Sequence, residues 1–278
     1  MVRTAAEDRL LSEVLRTFQN TPNPRLLEIV EAAVRHLHAF VDETKLTHDE
    51  WMMGIDFLTK VGKFSDPTRQ EFILLSDVMG VSSRVETVSY AGAPGSTEAT
   101  VLGPFYIPGS PKKQNGDSVI INDDGTPRLR VSGVVRSLDG TPIPGATVDV
   151  WQTATNAMYP VQDESQDPNN LRGYFTTDAN GRYEFITTRP VAYPVPVDGP
   201  AGAFLKATGR HPMRAAHIHL IVAAPGCYPV TTHIFDAESD YLDSDAVFGV
   251  RDSLIKKFEK LPDGSYTVNF DITLTPSK

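Results

Sequence analysis

The chain is 278 residues long, with 40% hydrophobic and 22% charged side chains, and carries a net charge of −9. That length can bury a full core without staples, and the single cysteine, Cys227, excludes an intramolecular disulfide. The acidic balance, with no basic stripe, excludes a nucleic-acid partner; no uncharged apolar run approaches the roughly 20 residues of a membrane span, so a small-molecule partner is expected. The start of the chain mixes acids with bases and lacks an apolar leader core, which points to the cytoplasm.

Helical periodicity comes first. Over residues 25–41, Leu26, Leu27, Val30, Ala33, Val34, Leu37 and Val41 recur at three- and four-residue steps and predict an amphipathic helix. Thr47-His-Asp-Glu50 is a capping box opening a second helix, whose apolar stripe runs through Trp51, Ile55, Phe57, Leu58 and Val61. Asp66-Pro67 places a cap and a first-turn proline before a third helix over 68–79, stopped by Gly80. Residues 1–100 are expected to form a helical region.

Past Gly103 the pattern changes to short β-rich runs divided by Asp139-Gly140, Pro144-Gly145, Asn180-Gly181, Pro225-Gly226 and Asp263-Gly264. Residues 146–151 and 216–222 read as strands. Asn180-Gly181, between 173–178 and 182–186, predicts a hairpin. Residues 189–200, with prolines at 190, 194, 196 and 200, predict a stiff irregular loop. Over 266–274 apolar Tyr266, Val268, Phe270, Ile272 and Leu274 alternate with polar residues, as in one half-buried strand. Short strands without intervening helices predict a mainly β protein, with a β-sandwich over 101–278 behind the helical 1–100.

On the strand at 216–222, His217 and His219 project from one face, while Ile218, Leu220 and Val222 take the other. From this pair alone, a metal site and two mutually hydrogen-bonded interior histidines are both open. No acidic residue adjoins the pair, and the lone Cys227 lies beyond a Pro-Gly turn. Asp236, Glu238 and Asp240 resemble the start of a calcium loop, but Tyr241 stands where glycine is required, so a solvated acidic loop is expected there. Tyr159 follows the 146–151 strand in an irregular stretch, and Tyr193 lies in the proline-rich loop; spacing does not choose them from the nine tyrosines. A phenol of pKa near 10 binds as phenolate only to a strongly Lewis-acidic ion, and its hard oxygen favours Fe(III).

Nearly the whole chain resembles the intradiol ring-cleavage dioxygenases. The likeness lies in Leu102-Gly-Pro-Phe-Tyr106, Pro144-Gly-Ala-Thr-Val-Asp-Val-Trp-Gln152, the Tyr159 that follows, Leu171-Arg-Gly-Tyr-Phe-Thr-Thr-Asp178 and Gly209-Arg-His-Pro-Met-Arg-Ala-Ala-His-Ile-His219. The resemblance implies a β-sandwich catalytic domain and N-terminal helices that build a homodimer, with a bound lipid in some relatives. It implies Fe(III) held by Tyr159, Tyr193, His217 and His219, with Arg214 as the active-site arginine and with O2 and a catechol-type compound as substrates. In that scheme Tyr159 and the histidines stay bound, Tyr193 leaves as a base, and Arg214 stabilises the charge developing on the ring.

Residues 69–77 and 240–250 are similar to the branch of that family that cleaves hydroxyquinol (benzene-1,2,4-triol) to maleylacetate. The matching pocket wall is Leu74, Asp77, Val101, Leu102, Gly103, Pro104, Phe105, Val195 and Pro196, joined by Arg214. Asp77 is the residue expected to accept a hydrogen bond from the extra hydroxyl and to penalise plain catechol. His233 stands where many catechol-cleaving relatives carry glutamine, and is expected to be a hydrogen-bond partner behind the ligands. Catechol or chlorocatechol cleavage, a metal-free transthyretin-like binding module, and a cupin-like Fe(II) or Zn(II) site on the histidine pair are the alternatives.

Overall fold

A computed structural model of the chain describes residues 5–66, 69–90 and 93–277. The fold divides into two compact units, Met1–Thr59 and Lys60–Lys278. The first holds α1 (Ala5–Thr17), α2 (Pro24–Thr44) and most of α3 (His48–Phe64). Asn23 caps α2 by accepting from the Arg25 and Leu26 amides at 2.9 and 3.1 Å. Before α3 the predicted capping box forms, with the Thr47 amide donating to Glu50 Oε2 at 2.8 Å and the Glu50 amide to Thr47 Oγ1 at 3.3 Å. The predicted apolar stripe is present but mostly uncovered: α2 has no buried residue, and Leu26, Leu37, Val41, Trp51, Ile55 and Leu58 are exposed, while Val61 of α3 is buried.

The second unit begins with α4 (Glu71–Val78) and α5 (Val81–Ser89). The expected cap, Asp66, accepts from the Arg69 amide at 2.8 Å, but the helix opens only at Glu71, with Gln70 at the cap position; Pro67 and Thr68 lie outside the described residues. Gly80, at φ 72°, ends α4 as predicted, but the chain turns directly into α5. Twelve strands follow: β1 (Arg128–Ser137), β2 (Thr147–Trp151), β3 (Arg172–Thr176), β4 (Arg182–Thr188), β5 (Tyr193–Pro194), β6 (Met213–Arg214), β7 (His217–Ala223), β8 (Val230–Asp236), β9 (Ile255–Lys256), β10 (Glu259–Lys260), β11 (Tyr266–Asn269) and β12 (Ile272–Leu274). One five-stranded sheet runs β3-β2-β7-β8-β9. In the other, β11 and β12 pair in parallel with successive stretches of β1, β4 pairs antiparallel with β1, and β10 pairs with β11. Leu129, Val131, Phe185 and Ile272 of this sheet and Val148, Phe175, Leu220 and Ile234 of the first share one buried apolar cluster. Each such side chain contributes roughly 1.5–3 kcal/mol.

Three local expectations are corrected. Asn180-Gly181 does make a turn, with the Gly181 amide donating to Asp178 O at 3.0 Å, but β3 pairs with β2 and β4 with β1. The turn therefore passes the chain from one sheet to the other instead of closing a hairpin. It is pinned there because the Gly181 carbonyl accepts from the Val135 amide at 2.8 Å and the glycine leaves no room for a Cβ, which would lie 2.6 Å from Val135 O. The strand at 266–274 is interrupted at Phe270 and Asp271, where Asp271 Oδ1 takes the Val134 amide at 2.9 Å in place of a ladder carbonyl. Finally, α6 (Pro200–Ala207) intervenes between β5 and β6, so the strands are not free of helices. Its amino end is fixed by Glu71 Oε1, which accepts from the Ala201 amide at 2.9 Å.

Candidate metal centre

β7 sets the centre. Ile218, Leu220 and Val222 join the apolar cluster, so strand alternation turns His217 and His219 to the opposite face, where both are buried. His217 Nδ1 lies 2.6 Å from the Ala215 carbonyl, which can only accept, so the proton sits on Nδ1 and the lone pair on Nε2. Trp151, opposite His219 in the β2–β7 register, stacks on its ring at 4.6 Å and 10°. Gly103 lies beside the His219 ring in the left-handed region, at φ 79°, which favours glycine.

The tyrosines arrive from loops. Tyr159 precedes a single 3₁₀ turn and is anchored by its amide donating to Gln162 Oε1 at 3.0 Å. Tyr193 sits in β5, paired with Arg214 of β6, so the proline-rich stretch is an irregular loop except at this bridge. The four polar tips close a ring. Tyr159 OH is 2.8 Å from Tyr193 OH and 2.8 Å from His219 Nε2; His219 Nε2 is 3.1 Å from His217 Nε2, and His217 Nε2 is 3.5 Å from Tyr193 OH. Ligand atoms that each sit about 2 Å from a common ion keep roughly 3 Å from one another. Arg214 caps one edge, with Nη1 donating to Tyr193 OH at 3.2 Å and to His217 Nε2 at 3.0 Å.

Burial, then the neighbouring Arg214 charge, pushes the His217 imidazole well below its usual range. Burial, then His217 and Arg214, does the same to His219. Both rings are thus neutral with lone pairs to offer. Burial pushes the Tyr159 phenol well above its usual range, aided by Tyr193. Its ionisation therefore requires a cation at the ring of donors, which fits a Lewis-acidic metal. Burial alone would lower the Arg214 guanidinium, but Asp245 and the two tyrosines outweigh it and hold it above the ordinary range.

Asp77 lies on α4 with Leu74, both 1% exposed. Neither Asp77 oxygen has a hydrogen-bond partner among the described residues. Burial raises its carboxyl to about 6, while the nearby Ser82 hydroxyl, whose proton goes to Ser76 Oγ at 2.9 Å, and the Arg214 charge pull the other way. Leu102 and Phe105 pack with Tyr159 and Tyr193, and the Phe105 ring is 5.3 Å from that of Tyr159. Val101 and Val195 are buried and Pro104 and Pro196 half-buried; none offers a side-chain polar atom. His233, opposite His219 in the β7–β8 register, stacks on His217 at 4.6 Å and stands edge-on to His219 at 4.1 Å. It meets the histidine pair ring to ring, with the Val101 backbone as its polar neighbour. One nitrogen from each of the three histidines lies within 4.8 Å of the others, which makes them a set able to hold a metal.

Asp236 departs from the solvated loop expected of it: it is buried, and Arg189 Nε donates to it at 2.7 Å while Arg189 Nη2 meets Glu238 at 2.7 Å. Sequence reasoning missed Trp151 and Asp245. Trp151 follows the inward-facing Val148 and Val150 by the wrong parity for the apolar cluster, a signal legible in the strand itself. Asp245 is remote from Arg214 in sequence and gave no local sign.

A family model described as Dioxygenase matches residues 101–276, and one described as Catechol dioxygenase N terminus matches residues 23–97. The chain is 43% identical to a hydroxyquinol 1,2-dioxygenase of Nocardioides simplex, over 98% of this chain and 97% of that protein. It is 44% identical to a 6-chlorohydroxyquinol 1,2-dioxygenase of Cupriavidus pinatubonensis, over 98% of each. The crystal structure of a hydroxyquinol 1,2-dioxygenase from Pseudomonas putida superposes with a TM-score of 0.89 at 41% identity, covering 98% of this chain and 99% of that one. Among the described residues, no helix is long and apolar enough to cross a membrane.

Proposed function

This chain belongs to the intradiol ring-cleavage dioxygenase family, and from that membership we propose that it opens hydroxyquinol with O2 between the two vicinal hydroxyl-bearing carbons, giving maleylacetate. The observation that carries the substrate is Asp77, a buried carboxylate without a hydrogen-bond partner, close enough to Arg214 to feel its charge. The third hydroxyl of the triol supplies the donor that Asp77 lacks, whereas plain catechol leaves it unpaired at a cost of about 1–3 kcal/mol.

Tyr159, Tyr193, His217 and His219 are read as the residues that hold Fe(III); the closed ring of their donor atoms and the two neutral imidazoles support this. When bound, the ferric ion supplies Lewis acidity that favours ionised catecholic oxygens and a template for them and O2. Tyr193 takes a catecholic proton at its phenolic oxygen, while Tyr159, packed against Phe105, keeps its place. Arg214 Nη1, already aimed at the Tyr193–His217 edge, stabilises negative charge developing on the ring. Leu102, Phe105 and Trp151 keep water from the reacting face.

We read the two sheets, joined by one apolar cluster, as a β-sandwich, with residues 101–278 as the catalytic domain of a cytoplasmic enzyme. Residues 1–100 are read as the homodimer region with a place for a lipid, supported by the uncovered apolar stripe of α2 and α3. Oxygen uptake by iron-loaded protein with benzene-1,2,4-triol and with catechol tests the substrate reading. The triol should turn over roughly 10- to 100-fold more efficiently, and a higher kcat/KM for catechol would sink it.

A further inference from the structure

Arg214 is held from behind, and we propose that Asp245 is a positioning residue for the reaction, fixing the Arg214 guanidinium so that Nη1 stays on the Tyr193–His217 edge. The inference rests on the role given to Arg214 above. Arg214 Nε donates to Asp245 Oδ1 at 3.1 Å, with Arg214 2% and Asp245 5% exposed. An arginine side chain has many rotamers, and its two contacts through the single atom Nη1 would leave the fork free to pivot about that atom. The Nε contact adds the second point that fixes its plane.

Asp245 is itself immobilised by the loop that follows it. Its Oδ2 accepts from the Gly249 amide at 2.8 Å, and its carbonyl accepts from the Phe248 amide at 3.0 Å. The Ala246 amide donates to Met213 O at 3.0 Å, Thr100 Oγ1 to Gly249 O at 2.6 Å, and Ser83 Oγ to Phe248 O at 2.9 Å. The loop also presses on the guanidinium directly. A Cβ on Gly249 would lie 3.0 Å from Arg214 Nη2 and 3.1 Å from Asp245 Oδ2, so glycine is what lets the loop close here. Arg214 Nη2 has no hydrogen-bond partner among the described residues, so Asp245 and the loop hold Arg214 without consuming that donor.

The test is a double-mutant cycle on kcat, run with whichever diphenol the wild type cleaves faster, so that an error in the substrate reading does not touch it. Asp245→Asn puts an amide where one carboxylate oxygen accepted and should lower kcat by about 10- to 100-fold, as misplacement of a catalytic group does, with KM changed less. Combined with Arg214→Lys, it should lower kcat no further than Arg214→Lys alone. Gly249→Ala, which crowds Arg214 Nη2 while keeping both charges, should show the same non-additivity with a smaller loss, and carries the cycle if Asp245→Asn does not fold. In ¹⁵N-edited spectra of metal-free protein, a slowly exchanging arginine Nε–H should vanish in both Arg214→Lys and Asp245→Asn. Losses that multiply in the cycle, or the lack of any protected Nε–H in the wild type, overturn the proposal.

Discussion

The helical unit and the candidate metal centre are both incomplete, in opposite senses. On α2 and α3 apolar side chains stand in water, Leu37 at 62% and Met53 at 71% exposed. Around the centre, polar atoms stand away from water: both Asp77 oxygens, Arg214 Nη2 and His219 Nδ1 lack hydrogen-bond partners among the described residues. An uncovered leucine is tolerable, whereas each buried polar atom without a partner costs about 1–3 kcal/mol. The first kind of gap asks for a protein or lipid surface, and the second asks for small ligands that bring hydrogen bonds and charge.

The contrast breaks most visibly at Tyr159. Tyr159→Phe removes a donor from the ring without opening a cavity, so the protein should stay folded, show a shifted and weakened tyrosinate-to-iron absorption left by Tyr193 alone, and fall in turnover by more than about 100-fold. Retention of iron with unchanged absorption would remove Tyr159 from the ligand set.

Asp77→Asn comes next. The folded carboxyl, at about 6, lies above its ordinary 3.8. Its contribution to stability is therefore fully present below about pH 3.8 and is lost as pH rises through about 6, a change of about 3 kcal/mol at most. In metal-free protein, Asp77→Asn should thus gain on the wild type between pH 4.5 and 7.5 in urea unfolding. A difference between the two that does not vary with pH would mean that Asp77 is not the strained group. The same variant should reduce the preference for triol over catechol.

A smaller effect is expected at His233, whose contacts are ring to ring. His233→Gln should keep stoichiometric iron and alter turnover by less than about tenfold, below what the loss of a hydrogen bond to a metal ligand brings. Smallest of all is Leu37→Glu on α2. Turnover per chain should barely move, while light scattering should read the mass of one chain where the proposed α2 interface is broken. A scattering mass unaffected by this charge would take α2 out of the interface.

Legibility in the sequence followed the range of the interactions involved. The capping box at Thr47 and the stop at Gly80 depend on residues within four positions and could be read directly. The facing of His217 and His219 needs only strand parity. The supposed hairpin at Asn180-Gly181 failed because a turn reports the local reversal and not the partner strand, and both partners, β1 and β2, are remote. Tyr159 and Tyr193 carry no local mark: they were identified by likeness to a family, and only the fold shows their hydroxyls 2.8 Å apart. Asp245 reaches Arg214 through a loop whose course depends on Gly249, Thr100 and Ser83 together, and no single spacing encodes that.

The parallel pairing of β1 with β11 and β12 has a consequence for how the chain is made. Leu129 meets Tyr266, so the central strand of one sheet waits for residues close to the end of the chain. At the usual 5–20 residues per second, translation takes roughly seven to thirty seconds to cover that stretch. During that interval β1 has only β4 beside it, and its other edge is open to strands of neighbouring nascent chains. Loss of the last dozen residues would therefore do more than trim a terminus: it would leave that edge unpaired for good and turn a transient hazard into aggregation.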